Sequence, residues 1–387
     1  MAVNTIVGQV ATGKYFFKRT EIIDSFWKTI VSGSNVLISA PRRVGKTSLM
    51  YYFKDHPKKN YRVIYIITES VNNKNEYYKK IFNAIFDTLK GIKKFSRNIA
   101  ALIKSKTITS ITKDGISFDN KKLNYYDELI KLIRELDLGQ DKMIIMIDEF
   151  SQTIENIIED ENKRNAINIL QSSRKLRQMP EINKKIQFVY AGSIGLENTV
   201  SRLNAMNTIN DLFSLKVPPL SSIQAKKLVN KILNGSELII KKDEINYLLG
   251  KIEWLIPFHI QLILNEIDKV KTDTVSASIT NEIINRAFEQ ALEHRNYFEH
   301  WHTRLRKAFK KENYNFTKEL LNYISEYNRI DSKKIFDMAV KHKIEENYKD
   351  IVNVLVYDGY INNNNDIKIY SYNSPLLKLW WNKNVAK

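Results

Sequence analysis

Short apolar runs alternate with amphipathic stretches over the first 219 residues. Residues 35–40 (NVLISA) read as a short buried strand, followed by the turn-rich PRRVGK and a helix from about Thr47. Residues 62–67 (RVIYII) predict a second strand, and a helical stretch covers roughly 74–104. Residues 106–118 alternate and contain Asp114-Gly115, which predicts a small inserted hairpin. Leu129, Leu132, Ile133 and Leu136 share one face of a helix expected over 123–138. The strongest strand is 142–147 (KMIIMI). A helix over 162–178, a strand over 186–191 and a last strand over 212–217 follow, before Pro218-Pro219. Strands alternating with helices predict an α/β fold whose mostly parallel sheet is covered on both faces.

Beyond Pro219 the period changes. Residues 222–234, 243–252, 257–270 and 280–294 read as helices with no clear strand among them, which predicts an α-helical lid domain. From about 297, helices near 316–328, 332–342 and 346–357 precede the strand-like YIN and IKIYSY, which flank the run Asn362–Asn365. Three helices and a two-stranded wing predict a winged helix-turn-helix with the asparagines at the wing's tip. The expected domains are therefore 1–219, 220–295 and 296–387. No sequence repeat or coiled-coil heptad is visible.

Composition narrows the chemistry. At 387 residues the chain exceeds one ordinary core, in keeping with two or three domains. No apolar run approaches the ~20 residues that span a bilayer. The N-terminus lacks the pattern of a signal peptide, so a cytoplasmic location without membrane contact is expected. Zero cysteines exclude disulfides, cysteine nucleophiles and thiolate metal sites. The net charge of +18 can attract polyanions. Residues 297–387, however, carry 16 Lys and Arg against 11 Asp and Glu. The charge is spread along the chain and marks no nucleic-acid face.

Residues 40–47 (APRRVGKT) match G-x-x-x-x-G-K-[ST] everywhere except the first position, where Ala40 replaces Gly. A tight loop between strand and helix turns backbone N–H groups toward one point, and the helix N-terminus adds partial positive charge there. Ala40, Pro41, Arg42, Arg43, Val44, Gly45, Lys46, Thr47 and Ser48 are thus the expected phosphate-binding segment. Lys46 would reach the β- and γ-phosphates, and the Thr47 hydroxyl would be a magnesium ligand. The second half of such a site is MIIMIDEF, an apolar strand ending in two carboxylates that are costly to bury without a reason. Asp148 would hold Mg2+, and Glu149 would orient and deprotonate the attacking water. The pattern predicts a P-loop NTPase core that hydrolyses ATP.

In these stretches the chain resembles the archaeal-type ATPase family, in the STAND-like branch of the AAA-related P-loop ATPases. FFKRTEI (16–22) resembles the family's F-x-G-R-E-x-E box, with Lys18 for Gly and Thr20 for the first Glu. SAPRRVGKTSL (39–49) resembles its phosphate loop and MIIMIDEF its Walker B strand. FVYAGSIGL (188–196) resembles the strand ending in a polar sensor, here Ser193. WLIPFHIQLI (254–263) resembles the lid segment whose proline, here Pro257, lies near the base. NSPLLKLWW (373–381) resembles the close of its winged helix. The resemblance implies ATP, Mg2+, a catalytic glutamate, and action as a switch, with defence and stress response among the settings of such ATPases.

Weaker signals remain. Arg42 and Arg43 could touch phosphate or a neighbouring subunit. Arg174, Arg177 and Arg202 are candidate arginine fingers, with a solvated helix face favoured for Arg174 and Arg177. His294, His300 and His302 cluster with Glu293 and Glu299 and are expected on the surface. Trp380-Trp381 are expected to pack in the core. The third helix of the winged unit, 345–355, carries Glu345, Glu346 and Asp350 against Lys349. Such a helix would repel phosphates, so sequence-specific DNA reading in the standard mode is disfavoured. A protein partner or self-association is expected. The alternatives are a DNA-associated ATPase similar to origin-recognition or transposition regulators, and a nucleotide-binding scaffold without hydrolysis.

Overall fold

Five of the apolar runs pair into one sheet. In the computed structural model, which describes residues 3–89, 108–112, 115–118, 123–192, 195–274, 278–309, 311–364 and 366–386, they are β1 (Asn35–Ser39), β2 (Tyr61–Ile67), β5 (Lys142–Asp148), β6 (Ile186–Ala191) and β7 (Leu212–Lys216). All neighbours are parallel, in the order β2-β5-β6-β1-β7. Helix α1 (Thr20–Val31) precedes the sheet; a parallel sheet needs crossovers, and later helices supply them: α2 (Lys46–Asp55), α3 (Lys74–Leu89), α4 (Tyr125–Glu135), α5 (Phe150–Asp160), α6 (Lys163–Gln178), α7 (Pro180–Asn183) and α8 (Leu196–Arg202). The inner strands β5 and β6 are buried along almost their whole length because helices cover both faces, so no exposed polar alternation survives; the buried Gln187 of β6 donates to the Ile30 carbonyl. Their Ile145, Ile147, Phe188 and Tyr190 share a core with Phe82, Leu129, Ile133, Phe150 and Ile169.

Contacts divide the chain into two compact units. One holds Lys18–Ser39 and Lys46–Val217, and with them the sheet. The other holds Met1–Phe17, Ala40–Gly45 and Pro218–Lys387. The α/β class is as the periodicity predicts. The expected hairpin is present as β3 (Ile108–Thr112) and β4 (Gly115–Phe118), paired antiparallel. Asp114 and the end of the stretch expected to be helical to 104 lie outside the described residues. Helices α1 and α5 are among those not anticipated. α1 buries Ile22, Ile23, Phe26, Trp27 and Ile30 on one face, and Phe26 stacks on Phe53 of α2 with ring centroids 3.8 Å apart. α5 begins directly behind the strongest strand.

The second unit is mostly helical: α9 (Ser222–Leu233), α10 (Lys242–Ile252), α11 (Pro257–Thr274), α12 (Asn281–Glu293), α13 (Arg295–Ala308), α14 (Lys311–Tyr327), α15 (Ser332–Lys341), α16 (Tyr348–Tyr357) and α17 (Pro375–Trp381). A three-stranded antiparallel sheet accompanies the last of them, in the order β8 (Arg329–Asp331), β10 (Ile369–Tyr372), β9 (Ile361–Asn362). The sequence pattern showed β9 and β10 but not the three-residue β8. The N-terminal segment is tied to α11 by Ile6 N–H to Gln261 Oε1, 3.0 Å. Trp380 and Trp381 are buried as expected, and Trp381 Nε1–H donates to Asn322.

Candidate functional site

The loop 40–45 joins β1 to α2. Arg43 and Gly45 both have positive φ, 63° and 97°. Nothing lies within 4 Å of a Cβ built on Gly45, so glycine is needed there for its conformation and not for space. Positive φ at two positions separated by one residue curls successive N–H groups toward a common point, the geometry of an anion nest. Ala40 and Val44 are buried, while Pro41, Arg42 and Arg43 are partly so.

In the unit that holds the sheet, α2 starts at Lys46, and four expected residues meet at the C-terminal end of β5. Lys46 Nζ is 3.6 Å from Asp148 Oδ1 and 3.9 Å from Glu149 Oε1. Thr47 Oγ1 donates to Asp148 Oδ2 at 3.1 Å. Asp148 is only 2% exposed and Lys46 8%. A carboxylate so far from water needs full pairing, and the surroundings provide it. Tyr65 O–H on β2 donates to Asp148 Oδ2 at 3.0 Å, and Glu149 N–H to Oδ1 at 3.0 Å. Burial and the adjacent Asp148 push the Tyr65 phenol well above its usual range, so it stays a donor.

The backbone at this tip is fixed as firmly as the side chain. Thr68 donates to the Asp148 carbonyl through both N–H (3.0 Å) and Oγ1 (3.1 Å). Thr153 Oγ1, one turn into α5, reaches the Thr68 carbonyl at 2.7 Å. Between strand and helix, Glu149 adopts a left-handed conformation with φ 59°. That is a costly state for a residue with a Cβ, and such outliers gather at functional sites. A hydroxyl and a carboxylate side by side are hard oxygen donors, which fits Mg2+ better than a softer ion. Tyr65, Thr68 and Thr153 were missed in the sequence. The strand register Tyr65↔Met146 that brings Tyr65 beside β5 has no local signal.

The other unit surrounds the loop's arginines. The Arg43 guanidinium lies 3.8 Å from the Phe258 ring centroid, and Nη2 is 3.2 Å from His300 Nδ1. Since arginine only donates, Nδ1 accepts and the proton of a neutral His300 sits on Nε2. Burial and the charges of Arg43, Arg42 and Arg304 depress His300 to about 2. Burial and Arg42 lower Arg43 to about 10. Asp358 pairs with Arg304 at 3.0 Å. Burial pushes its carboxyl up, opposed by Arg304 and Arg42. A Cβ on Gly359, φ 84°, would fall 2.7 Å from the Trp254 ring and 3.3 Å from Pro41. Pro257 opens α11 and immediately precedes Phe258.

Several expectations need correction. Arg177 is not on a solvated face. It is 3% exposed, forks onto Asp211 (2.8 and 2.7 Å) and donates to the Thr208 carbonyl. A guanidinium held this way is an anchor for the segment before β7. Arg202 pairs with Glu155. The three histidines neither converge nor lie on the surface as a set. His294 faces Glu266, His300 faces Arg43, and the buried His302 bonds Tyr314 Oη at 2.8 Å. Among the described residues no group of three His, Cys, Asp or Glu could hold a metal. Ser193 lies outside the described residues.

Comparison with known proteins bears on this geometry. Residues 9–192 match the family model of predicted AAA-ATPases. That span includes the phosphate loop and the Asp148 tip. A Walker-type ATPase of Pyrococcus abyssi superposes with a TM-score of 0.65 at 16% identity, covering 96% of this chain and 97% of that one. The ORC2 protein of Aeropyrum pernix, in its ADPNP–ADP complexes, superposes with a TM-score of 0.56 at 12% identity, covering 98% and 95%. At these identities the likeness is one of fold. No curated protein matches the chain. Among the described residues no helix is long and apolar enough to cross a membrane.

Proposed function

We propose that the protein binds and hydrolyses ATP and works as a nucleotide-dependent switch. The observation that carries this reading is the meeting of Lys46 and Thr47 with Asp148 and Glu149 at one strand end. Lys46, now shared between two carboxylates, would exchange them for phosphate oxygens. Residues 40–45 and Ser48 would supply backbone and side-chain donors, and Pro257 would lie near the base. Thr47 and Asp148 would hold Mg2+, which neutralises phosphate charge when bound. Glu149 would orient and deprotonate the water, with Ser193 as the polar sensor. Within the helical unit, 220–295 is read as the lid and 296–387 as a winged helix. Arg174 and Arg202 remain candidates to complete a neighbour's site in a self-assembled form. A cytoplasmic protein partner, in a defence or stress setting, fits the switch reading.

Calorimetry with Mg·ATP and steady-state turnover test the proposal together. Glu149→Gln should retain binding and lower turnover by about 100-fold or more. Lys46→Ala should abolish measurable binding. Equal, near-zero turnover in wild type and Glu149→Gln would instead favour a scaffold without hydrolysis. A large, salt-sensitive stimulation by duplex DNA would favour a DNA-associated ATPase.

A further inference from the structure

The Arg43 backbone is the unusual feature of the loop. The nest needs a left-handed residue at position 43, and the chain places there not glycine but an arginine, φ 63°. A side chain with a Cβ leaves that conformation unless its surroundings hold it. The surroundings do. The Phe258 ring carries the guanidinium face at 3.8 Å, and His300 accepts from Nη2 at 3.2 Å. Phe258 is itself buried, one residue into α11, and His300 sits mid-way along α13. Nothing about the pairing resembles a strong ion pair: no carboxylate contacts the Arg43 guanidinium among the described contacts, and Nη1 is buried without a hydrogen-bond partner among the described residues. The arrangement is poor as a source of stability and effective as a clamp on one torsion.

We propose that Phe258 and His300 are positioning residues which, through Arg43, hold the phosphate loop in its anion-binding shape. The inference rests on the reading of this loop as an ATP site. It extends that reading to two residues outside the loop, neither of which need touch the nucleotide.

A double-mutant cycle tests it. Mg·ATP affinity is measured by calorimetry for the full chain, for Phe258→Leu/His300→Leu, for Arg43→Gly, and for all three changes together. Glycine takes the left-handed conformation freely, so it removes the need for the clamp. Losing Phe258 and His300 should weaken binding about tenfold when Arg43 is present, and less than about twofold when residue 43 is glycine. A merely structural role of Phe258 and His300 would weaken both backgrounds equally, and that result overturns the proposal. So does an unchanged affinity in the Arg43 background. Should the double variant fail to fold, Phe258→Leu alone is read against the same two backgrounds. Wild type that ignores Mg·ATP would sink the ATP reading itself, whereas wild type that binds, with Lys46→Ala that does not, confines any failure to the positioning role.

Discussion

Arg177 is buried and Arg43 half-buried, one in each compact unit, and their surroundings differ in kind. Arg177 places its fork on Asp211 and adds the Thr208 carbonyl, so that its charge is matched and three of its donor contacts are filled. The Asp211 bonds and Tyr190 outweigh the cost of burial, and its pKa is raised. Arg43 has a ring face and one imidazole nitrogen, stands beside Arg42, and has its pKa lowered. A matched buried cation ties elements together, because removing it strands a partner. An unmatched one adds little stability, and its persistence in a loop of unusual backbone geometry points to use instead.

The strongest way to break this contrast is Arg177→Ala. It should lower unfolding free energy by about 3–5 kcal/mol in chemical denaturation, since Asp211 is left without its partner. Next is Gly359→Ala, which sets a Cβ at a left-handed position against Trp254 and should cost about 1–3 kcal/mol. A smaller effect concerns pH. His259 is 1% exposed and is depressed to about 3, chiefly by burial, with Arg43 contributing. Because the folded pKa lies below the unfolded value, the unfolded chain binds the extra proton. Stability is then intact above the ordinary histidine pKa and is lost as pH falls through 6.5 toward 3. Between pH 7.5 and 5.5 His259 alone should account for a loss of about 1 kcal/mol, and His259→Phe should remove that share of the slope while the share of the similarly depressed His300 remains. The least change is expected for Arg43→Ala: thermal unfolding should shift stability by less than about 1 kcal/mol, since the lost ring contact is offset by relief of the left-handed backbone. A loss as large as that for Arg177→Ala would erase the distinction.

What could be read from the amino acids alone follows the range of the interactions. The five sheet strands were legible because each is a short apolar run bounded by turns, and Lys46, Thr47, Asp148 and Glu149 because the phosphate-loop pattern and the acidic strand tip are both local. α5 was not anticipated because it starts at Phe150 straight after the strand, with Glu149 in a left-handed state and no side-chain cap to announce it. Arg177 was misread because its partner is 34 residues away, and a helix that ends in mixed charges looks solvated. Tyr65 came to Asp148 through strand register. Phe258 and His300 reach Arg43 across more than 200 residues, a distance that no periodicity spans.

Residues 40–45 group with the C-terminal unit, although β1 before them and α2 after them group with the sheet. The chain thus changes allegiance twice within a single turn-sized segment. A fragment cut after Val217 would keep every letter of the phosphate loop but would lack Phe258, His300 and Gly359, the neighbours that give Arg43 and Pro41 their places. The sheet-bearing half is therefore not a portable module: transplanted alone, it would carry the loop's spelling without its shape.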